Sequence, residues 1–168
     1  GPEYFVEAAH RVLQRADNVR FVMAGSGDMM HRMVRRAAQL KIMDKFHFTG
    51  FLRGEEVFSM LALSDLYVMP SVSEPFGISP LEAMQSNVPV LISNQSGVAE
   101  ILTFAIKTNF WDVDAMADAI YGVLHYPALS EMFVKHGKKE VESLKWEKSA
   151  LNVKEVYDNV VAEHNKFK

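Results

Sequence analysis

The chain of 168 residues contains no cysteine, which excludes disulfide staples and thiolate metal sites and suits a reducing cytoplasm. It has no apolar run near the roughly 20 residues that cross a bilayer. No secretory pattern stands at its first residues. A large excess of charge of either sign is also lacking. A formal net charge of -3 gives no electrostatic reason to bind nucleic acid or an anionic membrane. The six histidines (His10, His31, His47, His125, His136 and His164) never fall at HxxxH or HExxH spacing, so no metal site is expected. There is no nucleophile elbow, internal repeat, low-complexity run or flexible linker.

What is present is apolar and periodic. At 49% hydrophobic residues, the chain can bury one sizeable core. Short apolar runs near Arg20–Ala24, Phe46–Thr49, Leu66–Pro70, Val88–Ile92 and Ala105–Ile106 read as strands. Amphipathic stretches stand between them. Phe5, Val6, Ala9, Val12 and Leu13 fall on one helical face, and Met30, Met33, Val34, Ala37 and Ala38 on another. Strands about twenty residues apart with helices between them predict βαβ units and a Rossmann-like parallel sheet with helices on both faces.

A strand normally precedes the first helix of such a domain, whereas this sequence opens at Gly1-Pro2-Glu3 on the helix itself. The sheet is therefore expected to lack its first strand. From Asp112, a predicted N-cap, the remainder reads helical. The expectation is one domain, with an α/β core over 1–111 and a helical tail over 112–168 packed on it.

The most informative stretch runs from Ser73 to Met84, with Glu74 and Glu82 near its ends. It follows a strand, turns at Gly77 and enters a helix. Open α/β sheets bind ligands beyond the carboxyl ends of their strands. Carboxylates there can accept hydrogen bonds from sugar hydroxyls, and a helix start offers free N–H groups to phosphate. Each glutamate also has a plainer reading. Ser79-Pro80-Leu81-Glu82 matches a capping box, which would turn Glu82 back onto its own helix. Glu74 could be an ordinary solvated loop residue.

Gly25-Ser26-Gly27 follows a strand, yet the third glycine of a dinucleotide fingerprint would fall at Met30, so that fingerprint fails. A tight turn that keeps the crevice open is the simpler reading. Arg32, Arg35 and Arg36 read as a solvated helix face, and the methionines as core.

In series, Val22-Met23-Ala24-Gly25-Ser26-Gly27, Phe48-Thr49-Gly50-Phe51-Leu52, Ser64-Asp65-Leu66-Tyr67-Val68-Met69-Pro70-Ser71, the two glutamates and Ser96-Gly97-Val98-Ala99-Glu100 resemble one family. It is the C-terminal donor-binding domain of GT-B retaining glycosyltransferases, family 4 (glycosyl transferases group 1). Trp146 and Tyr157 resemble the helix that ends that domain. The resemblance implies transfer of a sugar from a nucleoside-diphosphate sugar, such as a UDP or GDP sugar, to a glycan, lipid or other acceptor. Glu74 would hold the transferred sugar in the catalytic role, and Glu82 the donor ribose. Backbone at Phe76, Gly77 and Ile78 would contact sugar and pyrophosphate, with Gly25, Gly50, Phe51 and Leu52 near phosphates and base.

The resemblance further implies no metal and no cofactor beyond the donor itself. The partner would be an N-terminal acceptor domain of the same parent chain. The location would be cytoplasmic, with a peripheral seat on the inner face of the membrane open to a longer protein. An arginine and a lysine that bind phosphate in this family stand upstream of the first helix and are not in this sequence. Ser96-Gly97 stands for the more usual Gly-Gly, and Ala99 for proline. The isolated chain is thus expected to bind nucleotide weakly and to transfer no sugar. A non-catalytic interaction or regulatory module on the same frame is the alternative.

Overall fold

A computed structural model describes residues 1–166. Among these, the strands are β1 (Phe21–Ala24), β2 (Phe46–Gly50), β3 (Tyr67–Met69), β4 (Val90–Ser93) and β5 (Ile106–Thr108). The helices are α1 (Pro2–Leu13), α2 (Met30–Gln39), α3 (Glu55–Ala62), α4 (Ser79–Gln85), α5 (Val113–His125), α6 (Pro127–Ser143) and α7 (Trp146–Lys166). All strand pairs are parallel, in two sheets of order β1-β2 and β3-β4-β5.

Local sequence accounts for the helix boundaries. Pro2 and Glu3 suit the first turn of α1, and Asp112 caps α5 by accepting from the Ala115 N–H at 3.0 Å. Helices α2 and α4 both stop in Schellman turns. Ile42 N donates to Ala37 O at 3.0 Å, and Val88 N to Ala83 O at 2.9 Å. The turning residues are not glycines: Lys41 has φ 58° and Asn87 φ 61°. Each turn delivers the chain from a helix toward a strand within a few residues.

Two apolar cores cover the faces of the sheets. Val6, Ala9 and Val12 of α1 meet Phe21, Phe46, Leu91 and Ile120 in one. Leu61, Met84, Val90, Ile92 and Val141 form the other, with Gly137 of α6 close to Met84. β4 has a neighbour on each side and is buried at all four residues, as interior parallel strands usually are. Arg36 does not simply face solvent, because its Nε donates to Glu7 Oε1 of α1 at 2.5 Å. Helix α7 departs from the expectation of a packed tail. It is exposed at every residue from Trp146 to His164, its apolar side chains included.

Candidate functional site

The loop after β3 is held by backbone pairing to a segment twenty residues further on. Glu74 forms a parallel bridge with Ser96. Gly97 N donates to Glu74 O and Val98 N to Phe76 O, each at 2.9 Å. The anchoring segment is itself fixed. Buried Ser96 donates its hydroxyl to Ser93 O, and buried Ser93 donates to Gln95 Oε1, both at 2.7 Å. Gly77 turns the loop at φ 90°, where a Cβ would lie 3.2 Å from Glu74 Cγ. The Glu74 side chain therefore folds against this glycine. Its Oε1 lies 3.4 Å from the Phe76 N–H, too long for a strong bond.

Glu82 comes from α4. Its capping-box reading does not hold: the N-cap is Ile78, and no side chain caps this helix. Ser79 spends its hydroxyl on Tyr67, with the two oxygens 2.7 Å apart. Among the described residues the Glu82 carboxylate has no hydrogen-bond partner, and it borders an open groove. Burial pushes the Tyr67 phenol above its ordinary pKa; the Ser79 bond opposes this, and the charges of Glu82 and Glu74 add to it. Both carboxylates thus raise the pKa of the same phenol, after burial.

The groove has a volume of about 1210 Å³. Of the residues singled out in the sequence, Gly25, Phe51, Leu52 and Glu82 border it, and Tyr67 and Ser79 join them. Gly50, Glu74, Phe76, Gly77 and Ile78 stand on adjoining loops and not in its lining. Gly25 N donates to Gly50 O at 2.7 Å, tying the ends of β1 and β2 together. Phe51 is 64% exposed, with the Arg53 guanidinium 5.4 Å from its ring. Phe76 and Ile78 are exposed too. Among the described residues, no three His, Asp or Glu side chains are placed to hold a metal ion.

Sequence reasoning passed over Tyr67 and misjudged Ser79. An aromatic hydroxyl opening a strand was the available signal, but its partner lies twelve residues away.

Parallel strands in βαβ order with helices packed on them make this a Rossmann-like domain of the GT-B type. Anabaena HepE, solved with UDP and glucose, has the same fold. Its TM-score is 0.79 at 16% identity, covering 92% of this chain and 44% of that one. The sequence matches the profile of glycosyl transferases group 1 over residues 1–140, and the chain belongs to that family. An uncharacterized glycosyltransferase of Methanocaldococcus jannaschii is 35% identical over 162 residues, 94% of this chain and 41% of the relative. The 2-deoxystreptamine N-acetyl-D-glucosaminyltransferase of Niallia circulans is 30% identical, over 83% of this chain and 36% of its own length. The chain thus spans about two fifths of the curated relatives it matches.

Proposed function

We propose that this chain is the donor-binding part of a retaining glycosyltransferase that takes a sugar from a nucleoside-diphosphate sugar. The single observation that carries the reading is the pairing of a free Glu82 carboxylate in the groove with a Glu74 loop clamped beside it by Gly97. Free carboxylates accept hydrogen bonds from vicinal hydroxyls strongly. Glu82 receives the ribose hydroxyls of the donor, and Glu74 the hydroxyls of the sugar to be moved. The exposed backbone around Phe76, Gly77 and Ile78 faces the pyrophosphate.

Breaking the anomeric bond leaves negative charge on the departing diphosphate, and fixed backbone dipoles stabilise such charge without reorganising. No metal takes part in this reading. The acceptor sits on another domain, so the chain alone binds and does not transfer. Family membership supports sugar transfer, and the name of the Niallia circulans relative is that of a sugar-transferring enzyme.

Ligand-observed NMR tests the reading with UDP-, GDP- and ADP-hexoses at millimolar concentration. Saturation should pass to ribose and hexose protons of at least one donor, and fade in Glu82→Ala. Absence of transfer to all three nucleotides overturns it. The retaining outcome is tested in a longer protein that contains this chain, by the anomeric configuration of the glycoside it forms.

A further inference from the structure

Ser93 of β4 and Thr108 of β5 are register partners, so Asn94 and Asn109 leave the sheet side by side at its carboxyl end. The backbone ties them first, with Asn94 N donating to Thr108 O at 2.9 Å. The side chains then close one network. Asn109 Oδ1 accepts from Asn94 Nδ2 at 3.1 Å and from Gln95 Nε2 at 3.2 Å. Gln95 Oε1 accepts from the Ser93 hydroxyl at 2.7 Å, and the Gln95 N–H donates back to Ser93 Oγ at 3.1 Å. None of these residues borders the groove.

Part of this network is weak by itself. Asn94 and Gln95 are exposed, and an amide pair in water adds little to stability. Ser93 is different. It is 1% exposed, and a buried hydroxyl without a partner destabilises a fold. Gln95 supplies that partner, and Asn109 holds the Gln95 amide in place. Asn109 is well fixed for the task. Its carbonyl accepts from Asp112 N at 3.0 Å, and Asp112 caps α5, whose Met116, Ala117 and Ile120 are buried. From Ser93 the order passes on to the loop after β3. The Ser93 carbonyl accepts from the buried Ser96 hydroxyl, Ser96 bridges to Glu74, and Gly97 N donates to the Glu74 carbonyl.

We propose that Asn109 is a positioning residue for Glu74. Its side-chain oxygen fixes Gln95, Gln95 fixes the buried Ser93 turn, and that turn sets where the Glu74 loop is anchored. This role rests on the donor-binding reading, which gives Glu74 the transferred sugar and Glu82 the ribose. Two consequences are specific to it. The bonds use only an acceptor at position 109, so aspartate should serve there and alanine should not. A displaced Glu74 should also weaken the hold on the sugar while sparing the hold on the nucleoside diphosphate.

Amide hydrogen exchange tests the role without a ligand. Asn109→Ala should speed exchange about fivefold or more at Gly97 and Val98, whose N–H groups bind Glu74 O and Phe76 O, and leave β1 unchanged. Asn109→Asp should return both amides to the wild-type rate. Calorimetric titration follows, with UDP, GDP and ADP and their hexose conjugates. For the nucleotide that binds, Asn109→Ala should weaken binding of the conjugate about three- to tenfold and of the free diphosphate not at all. Unchanged exchange at Gly97 and Val98 overturns the role. So does equal weakening of conjugate and diphosphate, or an aspartate variant that behaves like alanine. A wild type that binds no nucleotide overturns the donor reading alone, and the exchange result then decides whether Asn109 anchors the loop. If Asn109→Ala does not fold, Gln95→Ala removes the next link and must give the same pair of changes. Its failure to do so counts equally against the proposal.

Discussion

Gly97 sits so close to the loop after β3 that a Cβ on it would fall 2.0 Å from the Pro75 carbonyl oxygen, while its N–H binds the Glu74 carbonyl. The glycine is there for proximity. Gly97→Ala must push the Glu74 loop off its anchor, and overpacking of this kind costs about 1–3 kcal/mol. Gly122→Ala is the matched control, since its Cβ would meet only Leu129 at 3.7 Å inside a helix. Urea denaturation should show a loss for the first and a gain of about 0.5–1 kcal/mol for the second.

Tyr67→Phe removes the bond to Ser79 and should cost about 1 kcal/mol at neutral pH. The phenol has its folded pKa above the ordinary 10.0, chiefly through burial, so the native state keeps its proton where the unfolded chain releases it. The stability tied to that proton is complete below about pH 10 and falls as pH rises through the folded value. Stability-against-pH curves should therefore converge at high pH, with wild type declining more steeply than Tyr67→Phe. Parallel curves would mean that folding does not shield the Tyr67 phenol from solvent.

Lys41→Gly should stabilise the protein. Lys41 holds φ 58°, a conformation that costs a side-chain-bearing residue about 1 kcal/mol, and its side chain is exposed. A rise in thermal midpoint checks this, and a fall would mean that Lys41 makes contacts that offset its strain.

Much of the fold was legible because local pattern and tertiary demand agree. The apolar spacing of Val6, Ala9 and Val12, the Asp112 cap and the short apolar strands all appear where periodicity puts them. The site was less legible. Ser79 and Glu82 stand at capping-box spacing, yet Tyr67, from another element, claims the serine hydroxyl and leaves the glutamate free. The division into two sheets, β1-β2 and β3-β4-β5, agrees with the expectation of a sheet without its first strand. α7 carries an apolar stripe that sequence alone reads as buried, and it is exposed because burial depends on what stands opposite.

The central claim is that Glu82 is a ligand-facing carboxylate and not a helix cap. Calorimetric titration of UDP-, GDP- and ADP-sugars into wild type and Glu82→Ala tests it most directly. Loss of hydrogen bonds to a charged group costs about 1.5–3 kcal/mol, so the best donor should bind the variant about ten to a hundred times more weakly. Equal affinity of the two proteins for that donor, with Glu82→Ala less stable than wild type, would contradict the account.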